Sequence, residues 1–328
     1  MDFDLTEDQR EIKGVARELL AARSPFAKVR EAAEGARYDE ALWTEIVELG
    51  WPGIAVGEQY GGQGLGAVEL AMLLEELGYA CAATPFLSTA VAAAVIQAAG
   101  SGAQRERWLP GLVSGELTAG LGPADVVADG AGAAVVVLLD GDEAQLITEP
   151  QAEPVVMIDA TRRFARVTGD AEPLGAGAAG RVLAGVSAEV VGVCQCALEM
   201  TVEYVKGRKQ FGVPVGSFQA VAHRCAQMLL NTESARSTAY YAAWAADADP
   251  NRLGEASALA AAAAADGGRE VAASAIQAHG GIGFTWEADV HWLYKRAQLD
   301  TALLGGAGRH RAALARAAAT SLAAVTTR

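Results

Sequence analysis

The sequence predicts a mostly α-helical protein with a small β region near the middle of the chain. Apolar residues recur at helical spacing toward both ends. Between these parts the apolar runs are short, rich in valine and broken by Gly, Asp and Pro. This order of helices, small sheet and helices excludes an alternating βαβ architecture. We therefore predict an N-terminal helical domain at 1–118, a reduced antiparallel β domain at 119–180 and a C-terminal helical bundle at 181–328.

The N-terminal region predicts a series of helices. Thr6 is followed three residues later by Gln9, the pattern of a capping box, and apolar residues then recur every three or four positions. A second helical pattern stops at Gly50, and a glycine-rich loop at 58–66 precedes a third. Two more helical stretches carry the chain to roughly residue 118.

The middle region predicts short strands. The segment "AAVVVLLDGDEAQLIT" has the pattern of a hairpin that turns at Asp140 and Gly141. Two further strands are predicted at 154–159 and 164–169, which gives a small antiparallel sheet.

The stretch "GAGAAG" at 175–180 matches the glycine pattern of a nicotinamide-binding loop. That motif requires a hydrophobic strand before it and a βα repeat after it. Here a polar segment precedes it and only helices follow, so we interpret the stretch as a flexible linker.

The C-terminal region predicts long helices that begin after Arg181. A second helix is expected to start at a Ser217 cap, and a third is the alanine-rich segment 256–281. Small side chains in such a segment allow helices to pack closely.

Composition excludes several classes of function. The formal net charge of −14 argues against a nucleic-acid or anionic-membrane partner. The N-terminus lacks an apolar signal core, and no uninterrupted apolar run reaches membrane-spanning length. The four histidines show no metal-ligand spacing, and the four cysteines include no C-x-x-C pair. We therefore expect a cytoplasmic protein with reduced cysteines and no metal.

Two segments of the C-terminal region carry a specific pattern. The first, at 202–228, contains "GRKQFGVPVGSFQ", and the second, at 275–297, contains "QAHGGIGFTWE". With the helix–sheet–helix order, they resemble the acyl-CoA dehydrogenase family. The resemblance covers most of the chain and implies that family's fold, an FAD cofactor and a tetramer held by the C-terminal helices.

In this family one subunit binds the flavin ring, and its neighbour contacts the adenosine pyrophosphate. The resemblance implies that this chain keeps the neighbour's contribution, which we call the FAD half-site. Its residues are Arg208, Gln210, Phe211, Gln219, Gln277, Gly280 and Gly281. The chemistry is consistent, because a guanidinium forms charge-assisted bonds to phosphate and glycines allow backbone amides to approach it.

The sequence departs from the family at the flavin ring. The family's T-E-P-x-x-G-S-D segment is replaced at 118–132 by "TAGLGPADVVADGAG", and no W-I-T strand follows. We therefore predict that this chain cannot hold an isoalloxazine ring by itself.

The catalytic base of the family is also missing. The usual glutamate position falls on Leu304, and the alternative position falls on Val182. Such a base removes the α-proton of the thioester, a role for which a positioned carboxylate contributes about 10²–10⁴-fold. Four carboxylates at nearby positions are candidates for a substitute base, and each is expected to be a solvated or ion-paired surface group. They are Asp300, Glu287, Glu189 and Asp289.

A further departure lies at 295–297, where "KRA" replaces the family's R-D-A. The local ion pairs there are consequently expected to differ from those of the family.

The resemblance implies a degenerate subunit of a heteromeric acyl-CoA dehydrogenase, of the kind used in steroid side-chain degradation. Such a subunit would complete the FAD site of a related catalytic chain, with two copies of each chain and the acyl-CoA bound mainly by the partner. Two alternatives stay open. One is an autonomous homo-oligomeric dehydrogenase with a relocated base, for which Asp300 is the first candidate. The other is a non-enzymatic scaffold on the same fold.

Overall fold

A computed structural model describes residues 4–326, and the predicted order of helices, small sheet and helices is confirmed. The N-terminal helices are α1 (Glu7–Arg23), α2 (Phe26–Glu34), α3 (Glu40–Glu48), α4 (Ala67–Tyr79), α5 (Phe86–Ala99) and α6 (Gly102–Val113). The strands of the middle region are β1 (Ala119–Gly122), β2 (Val135–Asp140), β3 (Glu143–Ile147), β4 (Gln151–Pro154), β5 (Ala165–Thr168) and β6 (Ala171–Pro173). The C-terminal elements are α7 (Ala178–Gly207), β7 (Lys209–Gln210), β8 (Val213–Pro214), α8 (Gln219–Ala248), α9 (Leu253–His279), α10 (Val290–Leu303) and α11 (Ala307–Thr326).

The start of α1 confirms the capping box. The Thr6 hydroxyl accepts a hydrogen bond from the Gln9 backbone at 3.2 Å, and the Gln9 side chain accepts one from the Thr6 backbone at 3.0 Å. Two of the four backbone N–H groups that a helix start leaves without intrahelical partners are thereby bonded.

The middle region forms two small sheets. One has the strand order β1-β2-β3-β6, and the other consists of β4 and β5. The predicted hairpin is confirmed, because β2 and β3 pair antiparallel around Asp140 and Gly141. The antiparallel detail is wrong for one pair, since β1 and β2 run parallel, with Ala119 opposite Val135. Residues 123–134 connect these two parallel strands. The alternation of apolar and polar residues does not show whether two neighbouring strands are parallel or antiparallel.

One predicted strand is largely wrong. Of the segment 154–159, only Pro154 belongs to a strand, β4, and the backbone then leaves the sheet. Val156 is fully exposed, whereas Asp159 is buried. After this exposed stretch the chain reaches the bundle, where Asp159 pairs with Arg296 of α10 at 2.7 Å.

The C-terminal bundle packs α7 between α4, α8 and α9. Among the described helices, α7 alone is long and apolar enough to cross a membrane, and 83% of its most apolar window is buried inside the fold. Packing in the core of the bundle accounts for the apolar composition of α7.

Two helix starts differ from prediction. Helix α7 begins at Ala178, so the second half of the predicted linker at 175–180 is helical. Helix α8 begins at Gln219 without a side-chain cap, because the Ser217 hydroxyl donates instead to the Pro214 carbonyl at 2.7 Å. The three-domain division stays a prediction, although the element type changes at Ala119 and Ala178.

Candidate functional site

The end of α7 presents Arg208 to solvent. Its backbone N–H donates to the Tyr204 carbonyl at 2.8 Å and closes the last helical turn. Its side chain is exposed and forms no hydrogen bond or ion pair with any residue that the structure describes. An unpaired guanidinium at a helix end is available for an anionic ligand.

The β7–β8 hairpin follows directly and carries two more residues of the predicted half-site. Phe211 and Gly212 form its turn with φ values of 53° and 80°, and the Phe211 side chain is 95% exposed. The ring lies edge-on to that of Phe218, at a centroid distance of 6.2 Å. The Gln210 amide donates to the Lys209 carbonyl at 2.7 Å. A strained and exposed aromatic residue gains nothing for the fold of the single chain.

The end of α9 lies beside the end of α7. Tyr204 and His279 stack with ring centroids 4.4 Å apart, and His279 Nδ1 is 2.8 Å from the Ala275 carbonyl oxygen. Burial lowers the pKa of His279, so the imidazole is neutral near pH 7. The chain then turns at Gly280 with φ 66°, and the space around Gly280 and Gly281 is open. Backbone amides there can approach a ligand closely.

The structure brings part of the predicted half-site together. Arg208 from α7 and His279 at the glycine turn line one surface cleft of about 700 Å³. Gln277 borders a neighbouring groove of about 490 Å³, and its amide has no partner among the described residues. Gln219 is exposed at the start of α8, beyond the hairpin. These placements do not by themselves test the predicted FAD contacts.

Three carboxylates also line the cleft of Arg208. Glu199 accepts a hydrogen bond from the Tyr79 hydroxyl at 2.5 Å, and Asp289 pairs with Arg30 at 2.9 Å. Glu203 is the third. Because internal partners hold two of the three, Arg208 keeps its positive charge available.

Both base positions are apolar and buried. Leu304 and Val182 are each 1% exposed and belong to the main hydrophobic core. Gly305 and Gly306 end α10 with positive φ, and their amides donate to the carbonyls of Ala302 and Thr301. This is the hydrogen-bond pattern of a Schellman motif. The stretch "LLGG" is therefore a helix stop packed on the core, without a group that can accept a proton.

The nearest substitute carboxylates are buried, which corrects the expectation that they lie on the surface. Arg162 Nη1 donates to Asp300 Oδ1 at 2.6 Å, and Arg162 Nη2 pairs with Glu189. The side chains of all three are at most 2% exposed. The expectation of ion pairing is confirmed. By contrast Asp289 is only partly buried and Glu287 is exposed.

Arg296 binds the same cluster from α10. Its guanidinium donates to Asp159 Oδ2 at 2.7 Å, to Glu189 Oε1 at 3.0 Å and to the Ala82 carbonyl at 3.2 Å, and it also contacts the Thr161 hydroxyl. We call Asp159, Arg162, Glu189, Arg296 and Asp300 the junction cluster. It joins the segment before β5 to α7 and α10.

The end of β1 packs directly against the helical bundle. A Cβ on Gly122, at the end of β1, would lie 2.8 Å from the Leu303 side chain of α10. Protein atoms thus meet directly beside Leu304. The described residues contain no group of His, Cys, Asp and Glu side chains that could hold a metal ion, and guanidinium groups hold the three clustered carboxylates.

Sequence reasoning missed the junction cluster. The one available signal was "KRA" at 295–297, where a basic residue stands at the family's aspartate position. A buried arginine requires buried acids to pair with it, but periodicity does not show that Asp159 lies beside α10.

Comparisons with known proteins agree with this architecture. Models of the acyl-CoA dehydrogenase N-terminal and C-terminal domains match residues 6–116 and 179–319. The acyl-CoA dehydrogenase IpdE2 of Mycobacterium tuberculosis is 36% identical over 308 residues, which cover 91% of this chain and 93% of the relative. IpdE2 of Mycolicibacterium smegmatis is 32% identical, over 92% of this chain and 96% of the relative.

Two solved structures of heteromeric enzymes are similar throughout. The ChsE4–ChsE5 complex of Mycobacterium tuberculosis matches with a TM-score of 0.86 and 25% identity, over 97% of this chain and 99% of the other. A variant of the Tcur3481–Tcur3483 steroid ACAD matches with the same TM-score and coverage at 28% identity. With the helix–sheet–helix fold and the matched domains, these likenesses show that the chain belongs to the acyl-CoA dehydrogenase family.

Proposed function

We propose that this chain is the non-catalytic subunit of a heteromeric, FAD-dependent acyl-CoA dehydrogenase. In this proposal it completes the FAD site of a related catalytic chain. One observation carries the proposal: Arg208 and Gln277 at the α7–α9 end are exposed without partners among the described residues, whereas Glu189 and Asp300, the acids near the base positions, are buried and paired with Arg162. The similarity to a steroid ACAD and to the ChsE4–ChsE5 complex supports a partner chain and a steroid CoA thioester as substrate.

The residues present fit only one end of the cofactor. Arg208 offers an unpaired guanidinium for a phosphate, and the open turn at Gly280 and Gly281 offers backbone amides. Phe211, exposed on the hairpin, offers a ring face to a planar group. The closed contact between Gly122 and Leu303 does not favour a flavin ring within this chain.

In such an assembly FAD supplies the hydride acceptor. This chain would contribute binding and orientation: Arg208 holds phosphate charge, and the glycine turn approaches the same group. The proton would be removed by a carboxylate of the partner, since Leu304 and Val182 have no basic atom. The acyl chain would be bound mainly by that partner.

The test is flavin content and native mass, measured for this chain alone and after co-expression with a candidate catalytic chain. We expect flavin only in the mixed assembly, at about one per pair of chains. Arg208→Ala should then lower flavin affinity at least about tenfold, as for loss of a charge-assisted phosphate contact. The control Arg107→Ala alters an exposed arginine on α6 and should leave flavin content unchanged.

The alternatives give different outcomes. Flavin and thioester oxidation on the isolated chain would favour an autonomous enzyme in which Asp300 serves as base. One oxygen of that carboxyl has no partner among the described residues, but the group is fully buried and its other oxygen is bound to Arg162. Absence of flavin from every assembly would favour a scaffold, and in either case the proposal fails.

A further inference from the structure

The junction cluster contains more acid than base. Its carboxyl groups are those of Asp159, Glu189 and Asp300, and its guanidinium groups are those of Arg162 and Arg296. All five side chains are at most 2% exposed, so water does not offset an excess charge. An unbalanced charge in such a site is strongly unfavourable.

Two of the three carboxyl groups are well satisfied as anions. Glu189 receives a guanidinium on each oxygen, from Arg162 and from Arg296. Asp159 accepts from Arg296 at 2.7 Å on one oxygen, and from the Thr161 backbone N–H at 3.0 Å and hydroxyl at 2.5 Å on the other. Each therefore has the donors that stabilise a negative charge.

Asp300 is different. Its Oδ1 accepts a single hydrogen bond from Arg162, and its Oδ2 is buried without a hydrogen-bond partner among residues 4–326. Its side chain is fully buried. Of the three acids, it accepts the fewest hydrogen bonds, so its ionised form is the least stabilised.

We propose that Asp300 is held as a neutral carboxylic acid, so that the junction cluster is a charge-balanced, proton-dependent clamp between the β region and the helical bundle. The clamp fastens segment 159–162 to α7 through Glu189 and to α10 through Arg296 and Asp300. It lies away from the predicted FAD half-site and stands independently of the proposed function.

Other titratable groups face the cluster. Lys295 on α10 is a cation near Asp159, but it is only partly buried and its ammonium lies over the Trp286 and Trp292 rings, at 4.1 and 4.4 Å from their centroids. It therefore favours the ionised form of Asp159, not of Asp300.

Asp129 faces Arg162 from the loop after β1 and accepts from the Ser88 and Tyr38 hydroxyls; burial raises the pKa of this carboxyl, which opposes its ionisation. Burial raises the pKa values of Cys81 and Cys194 to about 12, so both thiols are neutral.

The electrostatics agree with the bonding pattern. Burial, with the charge of Glu189 adding to it, raises the pKa of Asp300 to about 7 against the opposing effect of Arg162 and Arg296. For Asp159 burial acts in the same direction, but Arg296 and Arg162 outweigh it and lower its pKa. Of the three acids in the junction cluster, Asp300 is therefore the one that holds a proton.

The sign of the pH effect follows from linkage. A carboxyl with a raised pKa binds more protons in the folded state, so its contribution to stability is complete below about pH 4 and is lost as the pH rises toward 7. With a folded pKa near 7, the unfolding constant should rise on the order of tenfold between pH 6 and pH 8 from this group alone.

The first experiment is infrared spectroscopy of the full-length chain in its native assembly. A protonated, buried carboxyl has a C=O stretch that ionised carboxylates lack. We expect such a band in the wild type near pH 6, with loss of intensity as the pH passes 7. Asp300→Asn should remove it. A wild-type spectrum without a band that Asp300→Asn removes would overturn the proposal.

The second experiment compares two matched variants by chemical denaturation at pH 6 and pH 8. Asp300→Asn mimics the neutral acid, so it should fold, change the unfolding constant less than threefold at pH 6, and lose the tenfold pH dependence. Asp159→Asn removes an ionised partner and should raise the unfolding constant at least a hundredfold at both pH values. If Asp300→Asn destabilises the chain as much as Asp159→Asn, or keeps the wild-type pH dependence, the clamp is not proton-dependent.

Discussion

Two polar regions of the molecule differ in whether their charged side chains are buried and paired. At the junction cluster every guanidinium is bound to buried carboxylates, and no side chain is more than 2% exposed. At the α7–α9 end, Arg208 and Gln277 are exposed without partners among the described residues, and Phe211 projects into solvent.

The difference separates groups that hold the fold from groups that remain available for a ligand. A buried ion pair is costly to open, because breaking it leaves an uncompensated charge. An exposed and unpaired guanidinium can bind a phosphate without first giving up another partner. In this chain the family's two base positions are Leu304, at the end of α10, and Val182, on α7, the two helices that carry most of the buried junction cluster. The predicted FAD half-site lies at the exposed α7–α9 end.

The largest expected effect is the loss of Arg296. Arg296→Met leaves Asp159 and Glu189 with one guanidinium fewer, and we expect it to lower the free energy of unfolding by about 3–5 kcal/mol. Chemical denaturation followed by tryptophan fluorescence measures this. The control Arg166→Met breaks exposed pairs with Asp125 and Glu153 and should change stability little. Equal effects of the two variants would remove the contrast between buried and exposed pairs.

A smaller effect is expected from a carboxylate at the family's base position. Leu304→Glu places a carboxyl at a core position that is 1% exposed, and should destabilise the chain by about 1–3 kcal/mol. It should produce no turnover, because the flavin-ring segments are also absent. Leu304→Met is the control, expected to change stability by less than about 1.5 kcal/mol. Thioester oxidation by Leu304→Glu alone would show that the junction still functions as a catalytic pocket.

The smallest effect lies at the hairpin and has the opposite sign. Phe211 adopts a left-handed φ that glycine prefers, so Phe211→Gly should stabilise the isolated chain by up to about 1 kcal/mol. In a flavin-loaded mixed assembly the same change should weaken FAD binding. Gly212→Ala, in the same turn at φ 80°, should instead destabilise the chain. If Phe211→Gly leaves FAD affinity unchanged, the hairpin does not belong to the half-site.

The sequence predicts structure correctly where the residues that determine it lie close together in the chain. The Thr6 capping box and the Asp140–Gly141 hairpin depend on residues a few positions apart, and both are confirmed. The half-site residues also lie within two short segments, 208–219 and 277–281. One segment follows the end of α7 and the other contains the end of α9, and these two ends are neighbours, so the residues are exposed on the same part of the bundle. Their contacts with FAD stay a prediction.

Features that depend on distant residues were not predicted. The parallel pairing of β1 with β2 joins strands that are separated by residues 123–134. Segment 155–158 leaves the sheet just before Asp159, which is bound to Arg296 of α10. Asp300 and Glu189 read as surface acids because helical spacing does not show what packs above a helix face.

The sequence by itself determined the helix–sheet–helix order, the family, and the absence of a carboxylate at positions 304 and 182. These follow from periodicity and from motifs in which all the informative residues are close in the chain. Only the tertiary structure decided that Arg296 meets Asp159, 137 positions away, and that Asp300 finds no second hydrogen-bond partner in the part of the chain that the structure describes. The physical reason is that the ionisation of a buried group depends on neighbours brought together by folding, which no local pattern specifies.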